Sequence, residues 1–152
     1  MILLTNLKLL QADVVSFFDA AGLLYKYSTD AIKEDNYADA AKYYTTAMIN
    51  FALAVELALK YILLKNEKVF NNERNIAELY ELLPNNDKEL IKKVLKSFIS
   101  SQEDQFIDES IRKLNKTFLN WTYFHEYPRD IDVNFFLIFS TVICQIVIND
   151  QF

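Results

Sequence analysis

Apolar residues recur at every third or fourth position through most of the chain, the spacing that gives an α-helix one buried face. Leu7, Leu10, Val14, Phe17, Phe18, Ala21, Leu24 and Ala31 keep this period and predict a first helix over about 5–33. Gly22 interrupts it at a cost of about 1 kcal/mol relative to Ala, which a close helix crossing at that point would explain. The polar run Lys33-Glu34-Asp35-Asn36 reads as a turn. A second helix over about 37–64 places Tyr37, Ala40, Ala41, Tyr44, Ala47, Met48, Phe51, Val55, Ala58 and Ile62 on one stripe. Its second half is apolar nearly all round, the mark of a central bundle helix.

Residues 65–74 form a polar connection carrying Val69 and Phe70. Asn75 to Glu78 has the form of a capping box, a side-chain acceptor followed three residues later by an acid. The short helix it opens stops at Leu83-Pro84. Asn86 to Glu89 repeats the pattern and predicts a helix with Leu90, Ile91, Val94, Leu95 and Phe98 inward. After a loop at 100–103, Ile107, Ile111, Leu114, Phe118, Trp121 and His125 share the stripe of another long helix, which Pro128 ends. A last helix is expected from about Asp130. The chain thus reads as one domain over 1–152, an all-α antiparallel bundle of four long helices with one or two short ones.

Composition sharpens this. One Gly and two Pro leave few turns, and strands need many. The net charge of −5, from 16 basic and 21 acidic residues, opposes nonspecific nucleic-acid binding, which draws its affinity from a basic field. Cys144 has no partner for a disulfide and sits in an apolar run, so it reads as core in a reducing compartment. The first ten residues lack the basic start and cleavage site of a signal peptide. Residues 131–148 are nearly long enough to span a membrane, but Asp132, Asn134 and Gln145 interrupt them, so a buried helix and a cytoplasmic protein are expected.

Few side chains here suggest chemistry. One His and one Cys cannot make a zinc site without many carboxylates, and no Glu-x-x-His pair exists for a di-iron bundle. One Gly excludes a glycine-rich phosphate loop, and no Ser stands in a nucleophile elbow. No metal and no cofactor is expected. Glu56 and Lys60 are the only charges between Phe51 and Leu64 and stand one turn apart. They read as an ion pair at the helix margin or as a buried acid that orients a site. His125 lies on an apolar stripe with Thr122 a turn before and Glu126 beside it. It reads as a hydrogen-bonded core or interface residue, or as an acid–base group near neutrality. Trp121 reads as a core anchor.

Three stretches carry a resemblance. Ala54-Val-Glu56-Leu-Ala-Leu59-Lys60 resembles the Ala-x-Glu-x-x-Leu-Lys helix of the HEPN family, small helical bundles common in microbial toxin and antiphage systems. These relatives often follow with a Gly-His turn and a short helix ending in Leu-Pro. Here Glu73-Arg74-Asn75-Ile76 replaces the Gly and His, while Leu82-Leu83-Pro84 remains. Phe118-Leu-Asn-Trp121-Thr122-Tyr123-Phe-His125-Glu126 keeps the frame Phe-x-x-Trp-Arg-Tyr-x-x-Glu but has Thr122 in place of Arg. The likeness covers about residues 36–126.

The resemblance implies a binding or orienting role for Glu56, Lys60, Trp121, Thr122, Tyr123 and Glu126. Ribonucleases of the family carry an Arg shortly before a His, one to steady phosphate charge and one to move a proton. This chain has only Arg74, Arg112 and Arg129; Arg112 lies thirteen positions before His125 and Arg129 beyond Pro128. The expected function is therefore a non-catalytic HEPN-like interaction protein in a defence, toxin–antitoxin or phage counter-defence setting. A divergent metal-independent endoribonuclease, with His125 and Arg112 or Arg129 assembled across a homodimer, is the alternative. A structural or regulatory bundle is the third reading. A protein partner is expected in preference to RNA or a nucleotide. A homodimer is also expected, on the family likeness and because Phe135, Phe136, Phe139 or Ile143 would stay partly exposed on a terminal helix packed on one side only.

Overall fold

The structure is a computed structural model that describes residues 2–70, 75–114 and 132–151; every regular element among them is a helix. α1 (Ile2–Lys33) and α2 (Tyr37–Lys65) form a long antiparallel hairpin. α3 (Ile76–Glu81), α4 (Asn85–Lys96) and α5 (Asp104–Lys113) follow, and α6 (Val133–Ile148) packs on α1, α2 and α4. The all-α bundle is as the periodicity predicts.

With almost no glycine available, the chain stops its two long helices on charged residues. Asp35 and Glu67 take left-handed φ values of 56° and 54°. At the first stop Asn36 N donates to Ala31 O at 2.9 Å and Asp35 N to Ile32 O at 3.1 Å. At the second Lys68 N reaches Leu63 O at 2.9 Å and Glu67 N reaches Leu64 O at 3.0 Å. Both are Schellman closures, which satisfy the last carbonyls of a helix. Asn36 then caps α2 by accepting from Asp39 N at 3.2 Å. Ser28 Oγ, buried, donates to Ala40 O at 2.8 Å and ties the two helices near their turn.

The core runs along the α2 face. Met48, Val55, Leu59 and Leu63 are fully buried, Phe51 nearly so, and Phe18 meets Phe51 edge-on at 5.8 Å. Phe136, Phe139 and Ile143 of α6 are fully buried too; Tyr80 packs edge-on against Phe139 at 6.1 Å, and Phe135 stacks on it at 5.9 Å. Cys144 lies in this core, as expected, and burial pushes its thiol well above the usual range.

Several expectations are corrected. Phe135, Phe136, Phe139 and Ile143 are all buried within the single chain, because α6 is covered by three helices rather than one. None of these four therefore offers a surface to a partner. Gly22 is exposed and a Cβ there would meet nothing within 4 Å, so no helix crosses closely. Tyr37 and Ala41 are exposed at the start of α2, where Ala40 is the buried residue. The second capping box does not form: Pro84 precedes α4, no side chain caps it, and Asn86 already lies in its first turn. Leu90 and Phe98 point outward, at 48% and 65% exposure, leaving Ile91 and Leu95 as the buried pair of α4.

The apolar segment that most resembles a membrane span is also not the last one. Among the described residues α2 alone is long and apolar enough to cross a membrane, and 67% of that window is buried among the other helices. α6 has 16 residues and starts at Val133, capped by Asp132, which accepts from Phe135 N at 3.0 Å.

Candidate functional site

The two charges of α2's apolar half meet, as their spacing requires. Lys60 Nζ donates to Glu56 Oε1 at 2.7 Å, with the side chains 16% and 8% exposed. Either charge alone at this depth would be costly to desolvate, so each secures the other. The pair is a fixed dipole on the central helix. It can orient a neighbouring group, but its carboxylate already holds an ammonium.

A second polar cluster closes the end of the bundle. Asp150, just beyond α6, accepts from Tyr61 Oη at 2.6 Å and from Lys65 Nζ at 2.7 and 2.6 Å. Gln11 of α1 donates through Nε2 to Val147 O at 2.8 Å and Asp150 O at 2.9 Å. Partial burial works against the charge on Asp150, but the bonds from Lys65 and Tyr61 outweigh it and hold the carboxyl below the usual range. Burial first, then the Asp150 bond and charge, pushes the Tyr61 phenol far up. Sequence reasoning missed this cluster, since its members lie 85 to 139 residues apart and show no local pattern.

A ladder of charge pairs ties α4 to α5 through Lys92 and Lys96 and to the end of α3 through Lys88. Lys92 Nζ meets Asp108 Oδ1 at 2.8 Å, Lys96 meets Asp104, and Lys88 Nζ meets Glu81 Oε2 at 3.2 Å. Four-residue steps on both helices, 92-96 against 104-108, put each pair of like charges on one helix face and were a readable signal for the α4–α5 pairing. The Lys96 hydrogen bond and charge lower Asp104. Lys92, Lys93, Lys96, Gln102 and Asp104 line an open cleft of about 490 Å³ beside the ladder. Tyr80 stands nearby with its ring 5.8 Å from Lys88 Nζ; burial first, then Asp108, Glu81 and Asp104, raises its phenol. Because Lys88, Lys92 and Lys96 are each matched by a carboxylate, the ladder reads as a brace rather than an anion site.

On the outer side, Phe98 and the α6 residues Leu137, Ile138, Thr141 and Val142 line an apolar groove of about 200 Å³. Leu90, Val94 and Phe98 follow one another in four-residue steps toward it. No sequence argument singled out this face, because Leu90 and Phe98 were expected in the core.

Of the residues singled out from the sequence, the structure brings together Glu56 and Lys60. Arg112 sits exposed in the last turn of α5. Trp121, Thr122, Tyr123, His125, Glu126 and Arg129 lie outside the described residues. Among the described residues no group of three or more His, Cys, Asp and Glu could hold a metal ion. No curated protein and no solved structure matches the chain. The family model of the HEPN domain matches residues 21–137. That span takes in most of the α1–α2 hairpin, the Glu56–Lys60 helix and the first turn of α6, and on it the chain belongs to the HEPN family.

Proposed function

We propose that this HEPN protein acts by binding other proteins and not by cutting RNA, as a cytoplasmic homodimer in a microbial defence, toxin–antitoxin or phage counter-defence setting. The observation that carries this reading is the sequence around its one histidine: no Arg stands shortly before His125, and Thr122 takes the place of the family's Arg. Without a placed cation, phosphate charge in a cleavage transition state has no partner beside the proton-moving group. The acidic balance of the chain and the matched charges between α4 and α5 support the same reading, since neither offers a basic field to a phosphate backbone. The setting is taken from the family.

The test is incubation of the purified protein with total RNA, beside a His125→Ala variant. Intact RNA in both is the expected result. Cleavage by the wild-type protein that disappears in the variant would overturn the reading in favour of a divergent ribonuclease.

A further inference from the structure

We infer that the outward face of α1 docks an amphipathic helix of another protein, one that carries Lys or Arg beside the middle of its apolar stripe. The inference rests on the protein-binding role proposed above and names the chemistry of the partner.

A surface helix ordinarily carries charge on the pole opposite its core face. On α1 it does not. The helix packs on α2 and α6, and Leu7, Val14 and Ala21 face that core. Opposite them, in steps of three and four, stand Leu9, Ala12, Ser16, Ala20, Leu23 and Tyr27. Leu9, Leu23 and Tyr27 are 61%, 51% and 45% exposed. The hydroxyl at the middle, Ser16 Oγ, already donates to Ala12 O at 2.9 Å, so covering it leaves no donor unsatisfied. The stripe is low at Ala12, Ser16 and Ala20 and high at its ends, where Tyr27 has the Tyr43 ring beside it at 5.7 Å. Small side chains let a second helix axis come close over this stretch of roughly 27 Å. Leu9 at one end and Leu23 with Tyr27 at the other supply the anchors that a docked helix needs.

Charge chooses the occupant. Asp13 and Asp19 stand three residues either side of Ser16, which puts one carboxylate on each flank of the stripe at its middle. Both are exposed, and neither joins an ion pair among the described residues. The lysines of this stretch, Lys8 and Lys26, stand beside its two ends. A helix with cations beside the middle of its apolar stripe meets both carboxylates at once, and the net charge of −5 draws it in. A second copy brings the same net charge, and an anionic lipid surface the same sign.

The experiment is isothermal titration calorimetry of the whole chain with two synthetic three-heptad helices. Both carry leucine at the inward positions; one has lysine on both flanks of its middle heptad, and its twin has glutamate there. The lysine peptide is expected to bind one to one in the micromolar range, and the glutamate twin on the order of 10-fold more weakly or worse. Leu23→Asn, and independently Asp13→Lys with Asp19→Lys, are each expected to weaken the lysine peptide by on the order of 10-fold or more. Phe106→Asn, at an exposed apolar position on α5, is the control for the first, and Glu89→Lys with Glu103→Lys, which changes the net charge equally, is the control for the second. Both controls are expected to bind as the wild type does, with circular dichroism showing every variant folded. Equal affinity for the two peptides, or binding that survives Leu23→Asn, overturns the inference. So does a wild-type dimer in sedimentation equilibrium that Leu23→Asn splits, which would give this face to a second copy. RNA cleavage abolished by His125→Ala overturns the protein-binding role itself, whereas intact RNA without peptide binding overturns this face alone.

Discussion

Replacing Asp150 by Ala tests whether the bundle is held shut by one carboxylate. The substitution removes the acceptor of the Tyr61 hydroxyl, which belongs to a residue only 1% exposed, and the counter-charge of the half-exposed Lys65. A hydrogen bond to a charged acceptor is worth about 1.5–3 kcal/mol, whereas an ion pair as exposed as Lys65 adds about 0.5 kcal/mol. The expected loss is therefore about 2–3.5 kcal/mol. Asp150→Asn keeps one oxygen for Tyr61 and should lose about 1 kcal/mol. With a urea slope of about 2 kcal/mol/M, Asp150→Ala lowers the midpoint followed by circular dichroism by about 1–2 M. The gap depends on pH in a fixed direction. Asp150 has a folded pKa below its unfolded value, so its contribution is complete above about pH 4 and is lost as pH falls through the folded value. Wild type and Asp150→Asn should then converge in acid. A midpoint unchanged by Asp150→Ala at neutral pH would refute the reasoning. So would strict additivity of Asp150→Ala with Tyr61→Phe, because directly bonded groups must couple.

Glu56→Ala leaves Lys60 without its counter-charge at low exposure and should cost about 3 kcal/mol, at the lower end for a broken buried pair; a Glu56→Ala, Lys60→Ala cycle with no coupling would show that water already screens the pair. Exchanging the positions of glycine should stabilise the chain. Gly22→Ala fills open space in a helix interior and is expected to gain about 0.5–1 kcal/mol, and a lowered melting temperature would reveal a contact the backbone hides. Glu67→Gly relieves a left-handed backbone and should gain about 1 kcal/mol; no gain in the urea midpoint would mean that Glu67 bears that conformation without strain.

The long helices were legible because their evidence is local: a 3.6-residue period over 30 positions survives any single exception. The Asn75 cap was legible for the same reason, with its side chain accepting from Ala77 N and Glu78 N. The similar pattern at Asn86 misled because Pro84, with φ −56°, had already started the helix. Apolar content alone could not say which side of α4 is covered, so Leu90 and Phe98 were assigned inward. The same limit hid the burial of Phe135, Phe136, Phe139 and Ile143, which depends on how many helices reach α6. Of the candidate site, the Glu56–Lys60 pair was readable from spacing, whereas the Asp150 cluster was not, since Lys65 and Tyr61 are its neighbours only after folding.

The position of α6 in the chain has a consequence for biosynthesis. Its seat on α2 ends at Lys65, whereas the helix that fills it begins only at Val133. The α1–α2 hairpin, joined by a three-residue turn, can form as soon as residue 65 leaves the ribosome, because its contacts are close in sequence. Until residues 133–148 follow, that hairpin presents α2's apolar half to the cell uncovered. Chaperone demand during translation should therefore peak over the α3–α5 segment. Moving α6 to the front of the chain by circular permutation, if the join is tolerated, should lower the fraction lost to aggregation without altering the finished core.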